Sequence, residues 1–227
     1  MRQGNHAELV ELLVVEGDLR GTRVLDVGCG TGTLAVALAE QYACKVWGVD
    51  ASPEMLDVAR TKVPPGVGVK LGRAEDLPFK DGWFERAVAT LAVHLWDRPR
   101  AFAEIARVLA PDGRFVLASF DPAHFTSYYL NTYFPSILAI DSERFAPANV
   151  LARELSEAGF SDTRSTSLTH DFSLSREEAL ARIRGRHIST FQLIPEAEYD
   201  AGLARAEREL PEHVDFTQHW VVVSAGV

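Results

Sequence analysis

The sequence predicts an α/β fold: a doubly wound, mostly parallel sheet of seven strands with helices on both faces. Between residues 24 and 120, short apolar segments alternate with segments of helical periodicity. This alternation favours parallel strands joined by crossover helices. Polar or glycine-rich segments follow four of these strands. Ligands of such sheets bind at the carboxyl ends of the strands. The chain is expected to be a single domain, 1–227.

Each element has its own pattern. Strands are expected where apolar residues run between turn-forming residues, at 24–27, 45–49, 67–71, 84–91, 114–120, 163–168 and 216–224. Helices are expected where apolar residues recur every three or four positions, at 5–16, from Thr33, at 52–62, 99–109, 149–158, 175–184 and from Pro195. Ser52-Pro53-Glu54 offers a capping serine, a first-turn proline and an acid near the positive helix end. Ser175 and Glu178 form a capping box.

Two segments interrupt the alternation in the second half of the chain. Residues 121–146 have no clear period and are rich in aromatic residues. Residues 175–210 are largely helical and too long for a hairpin between two strands. Both are expected to pack over the ligand site, and they are called the lid segments below.

Composition excludes several classes of protein. The chain has 227 residues, 47% of them hydrophobic, so it can bury a sizeable core. Its net charge of −9 argues against a nucleic-acid partner, which would need a basic surface. No apolar run is long enough to cross a membrane, and the polar start of the chain has no signal-peptide pattern. Cys29 and Cys44 suit reduced thiols in the cytoplasm, and no Cys/His group has metal-ligand spacing.

The loop after the first strand is Asp26-Val27-Gly28-Cys29-Gly30-Thr31-Gly32. Its glycines follow G-x-G-x-G, whereas dinucleotide-binding loops carry G-x-G-x-x-G and P-loops end in Gly-Lys-Ser/Thr. Glycine tolerates positive φ and lets a ligand approach the backbone closely. The form D-V-G-C-G-T-G closely resembles the first motif of the class I S-adenosylmethionine (SAM)-dependent methyltransferases. Asp50, A-E-D-L-P-F at 74–79 and L-A-P-D-G-R-F at 109–115 extend the resemblance over about residues 20–120.

The resemblance implies a Rossmann-like fold with a final antiparallel strand, matching 216–224. It also implies transfer of a methyl group from SAM to an oxygen, nitrogen or carbon atom of a small molecule, with S-adenosylhomocysteine as the product. The family's cofactor-binding positions fall on Asp26, Gly28, Cys29, Gly30, Gly32, Asp50, Ala51, Met55, Ala74, Glu75 and Leu91.

The family pattern also suggests a role for each acid in this set. Asp26 would receive the methionyl ammonium through a charge-assisted hydrogen bond. Asp50 would accept from both ribose hydroxyls, although it would equally suit the ribose of NAD. A backbone N–H of Ala74-Glu75 would meet the adenine ring. Arg73 stands where the family often has an acid, so the adenine amine would turn to Glu75, Asp76 or water.

The segment after the fourth strand, 91–96, lies between the methionine part of SAM and the acceptor in the family. His94 is therefore the candidate catalytic base, since histidine ordinarily titrates near neutrality. It would otherwise bridge hydrogen bonds within the loop. Many methyl transfers need no strong base, because positioning supplies much of the effect.

Acceptor-binding candidates come from the lid segments: His124, Tyr128, Tyr129, Tyr133 and Arg186. The aromatic residues would line the acceptor site or pack on one another. Arg186 belongs to a basic cluster with Arg182, Arg184 and His187. This cluster would hold a carboxylate or phosphate, or be a solvated helix end.

Other expectations concern partners. Relatives usually cover the SAM carboxylate with a Tyr or Arg from an N-terminal segment, and here Arg2 or the glycine-loop amides would take that place. Two alternative functions stay open, an NAD(P)-dependent oxidoreductase and a module that binds SAM or S-adenosylhomocysteine without catalysis. The expected partner is a small molecule, with no nucleic acid and no membrane. The protein is expected to be a cytoplasmic monomer or homodimer.

Overall fold

A computed structural model describes residues 3–227, with side chains from Ala7 onward. Its strands are β1 (Arg23–Val27), β2 (Lys45–Asp50), β3 (Gly68–Leu71), β4 (Phe84–Thr90), β5 (Leu109–Phe120), β6 (Ser161–Ser175) and β7 (His213–Gly226). They form one seven-stranded sheet in the order β3-β2-β1-β4-β5-β7-β6. The pairs β1–β2, β1–β4, β2–β3 and β4–β5 are parallel. The doubly wound, mostly parallel sheet is thus confirmed.

The helices are α1 (Gln3–Gly17), α2 (Thr33–Tyr42), α3 (Pro53–Lys62), α4 (Arg98–Val108), α5 (Ala123–Thr126), α6 (Ser136–Arg144), α7 (Ala148–Glu157), α8 (Arg176–Arg184) and α9 (Glu196–Glu209). Both predicted helix starts are confirmed. Ser52 Oγ accepts from the N–H of Met55 at 3.2 Å, and Ser175 and Glu178 form the reciprocal capping box that opens α8. Among the described residues, no helix is both long and apolar enough to span a membrane.

The structure differs from the sequence expectations in three places. β5 begins at Leu109, the residue at which the expected helix 99–109 would end, because residues 109–113 continue the strand past a register shift between Phe84 and Arg86. β6 and β7 are longer than 163–168 and 216–224. Polar residues fill the exposed part of β6, which hides its alternation. Within 121–146, short helices replace the expected irregular segment.

The chain divides into two compact units. The first contains the residues up to Ser119, Ala148–Ser167 and Val221–Val227, and the second contains Phe120–Pro147 and Leu168–Trp220. β1 is the centre of the first core, with Val24, Leu25 and Val27 fully buried. β1 and β4 are neighbours although β2 and β3 follow β1 in sequence, so the direction of winding reverses between them. The glycine loop leaves the sheet at this switch point, where ligands of such sheets bind.

The second unit has its own apolar core. Residues of both lid segments form it, including Leu130, Phe134, Ile183, Phe191 and Tyr199. Phe134 and Phe191 meet edge to face, with ring centroids 4.9 Å apart. The two segments therefore fold together, and their place over the ligand site, like the single-domain organisation, stays a prediction.

Gly202→Ala is expected to destabilise the second unit. In an ordinary helix this change stabilises by about 1 kcal/mol. In α9, however, a Cβ atom at Gly202 would lie 2.4 Å from Phe134 Cε1 and 2.6 Å from the Tyr133 carbonyl oxygen. Such overpacking costs about 1–3 kcal/mol. The measurement is the thermal midpoint, with Ala201→Ser on the exposed face as the control. A midpoint at or above that of the wild type would contradict the prediction.

Candidate functional site

The glycine loop follows β1 and is held against β2. The N–H groups of Gly28 and Cys29 both donate to the Val49 carbonyl oxygen, at 2.8 and 3.0 Å. Gly28, Gly30 and Gly32 all have positive φ, at 73°, 52° and 77°, which only glycine adopts at little cost. A Cβ atom at Gly28 would lie 2.5 Å from Ala92 Cβ, whereas one at Gly30 would meet nothing within 4 Å. The loop is therefore packed at Gly28 and open at Gly30.

Asp50, at the end of β2, ties the glycine loop to the start of α3. Its Oδ2 accepts from the N–H of Gly30 at 2.8 Å, and its Oδ1 accepts from the N–H of Ser52 at 2.9 Å. A carboxylate has about four acceptor positions, so each oxygen retains capacity for one more donor. This arrangement suits a vicinal diol, which offers two hydroxyl donors.

Asp26 is the last residue but one of β1 and is only 1% exposed. Its Oδ2 is buried and has no hydrogen-bond partner among the described residues. Burial, with a smaller contribution from the negative charge of Asp50, raises the pKa of Asp26 to about 7. A buried carboxylate that lacks a donor costs free energy, so its retention needs an explanation. A cationic N–H donor from a ligand would supply one.

The loop after β3 contains Ala74 and Glu75, and Glu75 is engaged within the protein. Its side chain is 7% exposed, and its Oε1 accepts from the N–H of Asp97 at 3.0 Å. Its Oε2 lies 3.4 Å from Arg73 Nε. Glu75 thus tethers the segment after His94 to this loop. Ala74 is buried, and Asp76 is exposed.

The remaining cofactor-side candidates differ in exposure. Ala51 and Met55 are exposed, as groups that flank a ligand can be. Leu91 has φ of 51°, a strained conformation for a branched side chain, and its N–H donates to the Ala118 carbonyl oxygen at 2.9 Å. His94 is half-buried in a 3₁₀ turn, Val93–Leu95. The Cys29 thiol is buried, and burial raises its pKa, so it stays protonated.

Comparisons with known proteins identify the family of this chain. A family model described as a methyltransferase domain matches residues 24–113. The chain is 31% identical over 175 residues to the ubiquinone/menaquinone biosynthesis C-methyltransferase UbiE of Citrifermentans bemidjiense, covering 65% of this chain and 74% of that protein. It is 37% identical over 168 residues to the demethylmenaquinone methyltransferase of Symbiobacterium thermophilum, covering 63% and 64%. The fold is also similar to the crystal structure of a methyltransferase from an antibiotic biosynthesis pathway of Anabaena variabilis. The two chains are 25% identical, with a TM-score of 0.75, and the match covers 95% of this chain and 96% of that one.

The chain belongs to the class I SAM-dependent methyltransferase family. The matched residues 24–113 include every cofactor-side candidate from Asp26 to Leu91, and also His94. The chain spans between 37% and 64% of the length of several other curated relatives that it matches.

The acceptor-side candidates all lie in the second unit. His124 is 2% exposed and stacks on Phe120, with ring centroids 4.2 Å apart. Its Nδ1 lies 3.3 Å from the Thr217 carbonyl oxygen, and burial lowers its pKa to about 4. The ring is therefore neutral at physiological pH. Tyr133 is buried in the core of the unit, and burial raises its pKa.

Arg186 is already paired within the protein. Its guanidinium forms an ion pair with Glu196 and lies 3.7 Å from the ring centroid of Tyr199. Tyr128 and Tyr129 are half-buried, and their rings meet edge to face at 5.1 Å. The acceptor-binding roles of these residues stay predictions.

Two features of the site have no counterpart in the sequence motifs. Thr90, the last residue of β4, has a buried Oγ1 with no partner among the described residues. Trp96 Cζ2 would lie 3.7 Å from a Cβ atom at Gly28, so the indole packs near the glycine loop. Thr90 could have been named from the sequence, because it stands at the end of a predicted strand. The position of Trp96 could not, because it depends on the 3₁₀ turn.

Arg2, one expected partner of the SAM carboxylate, lies outside the described residues.

The loop amides, the other expected partner, are largely used internally. Besides Gly28, Cys29 and Gly30, the N–H of Gly32 donates to the Cys29 carbonyl oxygen at 2.9 Å. Within the described part of the chain, no group of three or more His, Cys, Asp and Glu could hold a metal ion.

Asp26→Asn is expected to stabilise the ligand-free protein. The folded-state pKa of Asp26 is about 7 against an ordinary value of 3.8. The free energy of unfolding therefore falls as pH rises between these two values, because the buried carboxyl resists ionisation. The variant removes this penalty, so its thermal midpoint should exceed that of the wild type by at least about 2 °C at pH 8. Near pH 4 the two midpoints should converge.

The control for this experiment is Asp57→Asn. The Asp57 carboxylate is exposed and pairs with Arg60, so its substitution should not reproduce the pH-dependent gain. Equal midpoints for the wild type and Asp26→Asn at pH 8 would contradict the assigned burial penalty.

Proposed function

We propose that this protein transfers a methyl group from SAM to an oxygen, nitrogen or carbon atom of a small-molecule acceptor. The observation that carries the proposal is the buried, unpartnered Oδ2 of Asp26 beside the glycine loop and the half-used carboxylate of Asp50. These groups offer acceptors for an ammonium and for a diol, the donors that the methionine and ribose parts of SAM present. Family membership supports the same cofactor.

The engaged loop amides favour SAM over a dinucleotide. A pyrophosphate is bound by N–H groups at the loop and helix start. Here the N–H groups of Gly28, Cys29 and Gly30 are used by Val49 and Asp50. A dianionic pyrophosphate would also stand close to the carboxylates of Asp26 and Asp50. The oxidoreductase alternative therefore lacks three of the donors that a loop of this kind would offer a pyrophosphate.

The residues of the first unit would act mainly by binding and orienting. When bound, SAM supplies an electrophilic methyl group on a positively charged sulfur. Asp26 would accept from its ammonium, Asp50 from its ribose hydroxyls, and an N–H of Ala74 or Glu75 would meet the adenine ring. Because both Glu75 oxygens face protein donors, the adenine amine would turn to Asp76 or water. Met55 would cover the adenine.

We assign His94 as the group that accepts a proton from the acceptor. It lies in the 3₁₀ turn after β4, in the segment that Glu75 anchors through the N–H of Asp97. General-base assistance of this kind contributes about 10²–10⁴-fold where the acceptor carries a proton.

Binding measurements test the cofactor assignment. Isothermal titration should show S-adenosylhomocysteine binding and no comparable NADH binding. Asp50→Ala should weaken S-adenosylhomocysteine binding by at least about tenfold, since charge-assisted hydrogen bonds are lost. The exposed variant Asp57→Ala is the control and should bind normally. Normal binding by Asp50→Ala would remove the ribose assignment, and binding of NADH alone would overturn the proposed function.

Kinetics test His94. Incubation with metabolite extracts and SAM, followed by mass spectrometry, should reveal an acceptor that gains one methyl group. With that acceptor, His94→Ala should lower kcat by about 10²-fold or more and leave the affinity for S-adenosylhomocysteine intact. Unchanged kcat would remove His94 from the mechanism. A protein that binds S-adenosylhomocysteine but methylates nothing in any extract would fit the non-catalytic alternative.

We further propose a cytoplasmic location and a monomeric or homodimeric state, as the sequence predicts.

A further inference from the structure

The second unit contains a polar group of side chains that its apolar core does not account for. Tyr129 begins a 3₁₀ turn, Tyr129–Thr132, and Tyr128 immediately precedes it. Arg182 belongs to α8, and His187 lies in the loop after that helix. His187 Nδ1 lies 2.9 Å from the Arg182 carbonyl oxygen, so Nδ1 carries the proton and donates. Nε2 is then an acceptor, and the Tyr128 hydroxyl lies 3.5 Å from it. The Tyr128 hydroxyl thus has a protein partner.

Tyr129 has none. Its hydroxyl oxygen is buried and finds no hydrogen-bond partner among the described residues. The ring is held in place by Tyr128 at 5.1 Å and by Phe216 at 5.4 Å between ring centroids. An unsatisfied buried hydroxyl costs free energy, and it cannot turn its ring toward solvent without losing this packing. The Tyr129 hydroxyl therefore lacks a hydrogen-bond acceptor for its proton.

Arg182 is short of an acceptor as well. Its neighbours in the basic cluster are neutralised, since Arg184 lies 2.6 Å from Glu207 and Arg186 pairs with Glu196. Arg182 is half-buried, and no ion pair joins it to a carboxylate within residues 7–227. Its positive charge acts on both phenols and opposes the rise that burial causes in their pKa values.

An acid whose charge acts on Tyr128 is already committed. Asp141 accepts from Thr190 Oγ1 at 2.7 Å and lies 3.2 Å from Arg144 Nη1. It therefore does not neutralise Arg182. What the group lacks is an anion that accepts both from a guanidinium and from the Tyr129 hydroxyl.

We propose that Arg182 and the Tyr129 hydroxyl form a subsite for the carboxylate of an aromatic methyl acceptor. A carboxylate matches the guanidinium with two parallel hydrogen bonds and can accept from a phenol as well. One cation balances one negative charge, whereas a phosphate dianion would leave a charge uncompensated in a chain of net charge −9. The rings of Tyr128, Tyr129 and Phe216 favour a flat apolar body on the ligand.

This inference rests on the proposed function for its meaning as an acceptor site, but its test does not require methyl transfer. Benzoate is the probe, and benzamide and phenyl phosphate are its neutral and dianionic counterparts. Binding is measured by titration with and without saturating S-adenosylhomocysteine. The wild type should bind benzoate at least about tenfold more tightly than either counterpart, because only benzoate matches the single charge.

Variants then assign the contacts. Arg182→Gln should weaken benzoate binding by about tenfold or more and leave benzamide binding unchanged, and Arg182→Lys should recover part of the loss. Tyr129→Phe should weaken benzoate binding by about fivefold, as expected for one hydrogen bond. Arg208→Gln removes one positive charge from the exposed face of α9 and is the control. Circular dichroism and the thermal midpoint show that each variant is folded.

Several outcomes would overturn the subsite. They are equal affinity for benzoate and benzamide, no saturable benzoate binding, tighter binding of phenyl phosphate, and an equal loss in Arg182→Gln and Arg208→Gln. If S-adenosylhomocysteine does not bind while the benzoate pattern holds, the proposed function fails and the anion subsite stands. If S-adenosylhomocysteine binds and the benzoate pattern is absent, only the subsite fails.

Discussion

The cofactor side of the molecule depends on the hydrogen bonds that join the glycine loop to the end of β2. Val49 accepts from two loop amides and Asp50 from a third. These bonds fix the loop in a conformation that needs positive φ at its glycines. They also occupy three of the N–H donors that a loop of this kind would otherwise offer a phosphate. The loop therefore differs in chemical character from a phosphate-binding loop, whose N–H groups face the anion.

The buried carboxyl of Asp26 lowers the stability of the ligand-free protein. A carboxyl in the central strand is buried on both sides by neighbouring strands, and its pKa rises because the charged form is poorly solvated. The ligand-free protein is less stable for it. A ligand ammonium would lower that pKa again and recover part of the penalty, so ligand binding and ionisation of Asp26 are coupled. Strain at Leu91 is a second local cost at the same edge of the sheet.

The sequence was a good guide to the fold, and it also supplied the residues on which the proposed cofactor side rests. Both depend on local signals, such as apolar periodicity, capping residues and a glycine pattern that forces the backbone. Asp26 and Asp50 could be named because they sit at fixed steps from the glycines. The lid segments were harder, because the core of the second unit joins residues distant in sequence, such as Phe134 and Phe191. No periodic pattern in either lid segment indicates which residues of the other segment it packs against.

The ion-pair partners of the arginine residues could not be predicted from the sequence either, because they are also distant in sequence. Arg182, Arg184 and Arg186 look equivalent in a row of alternating positions. Only tertiary structure decides that Glu207 and Glu196 neutralise two of them and leave the third. Residue type states what a side chain can bind, and the folded protein decides whether that capacity is already used.

The same principle separates the two units chemically. At the cofactor side of the first unit, the carboxylates of Asp26 and Asp50 retain acceptor capacity, while four loop amides donate within the protein. At the proposed subsite of the second unit, the Tyr129 hydroxyl and the Arg182 guanidinium retain donors. Buried polar groups that lack partners are costly, so each surplus favours a ligand of the opposite character. The first surplus suits a cationic, hydroxyl-bearing ligand and the second an anionic one. Two ligands of opposite charge are therefore favoured at different places, and neither site would accept the other's ligand without an unpaired buried charge.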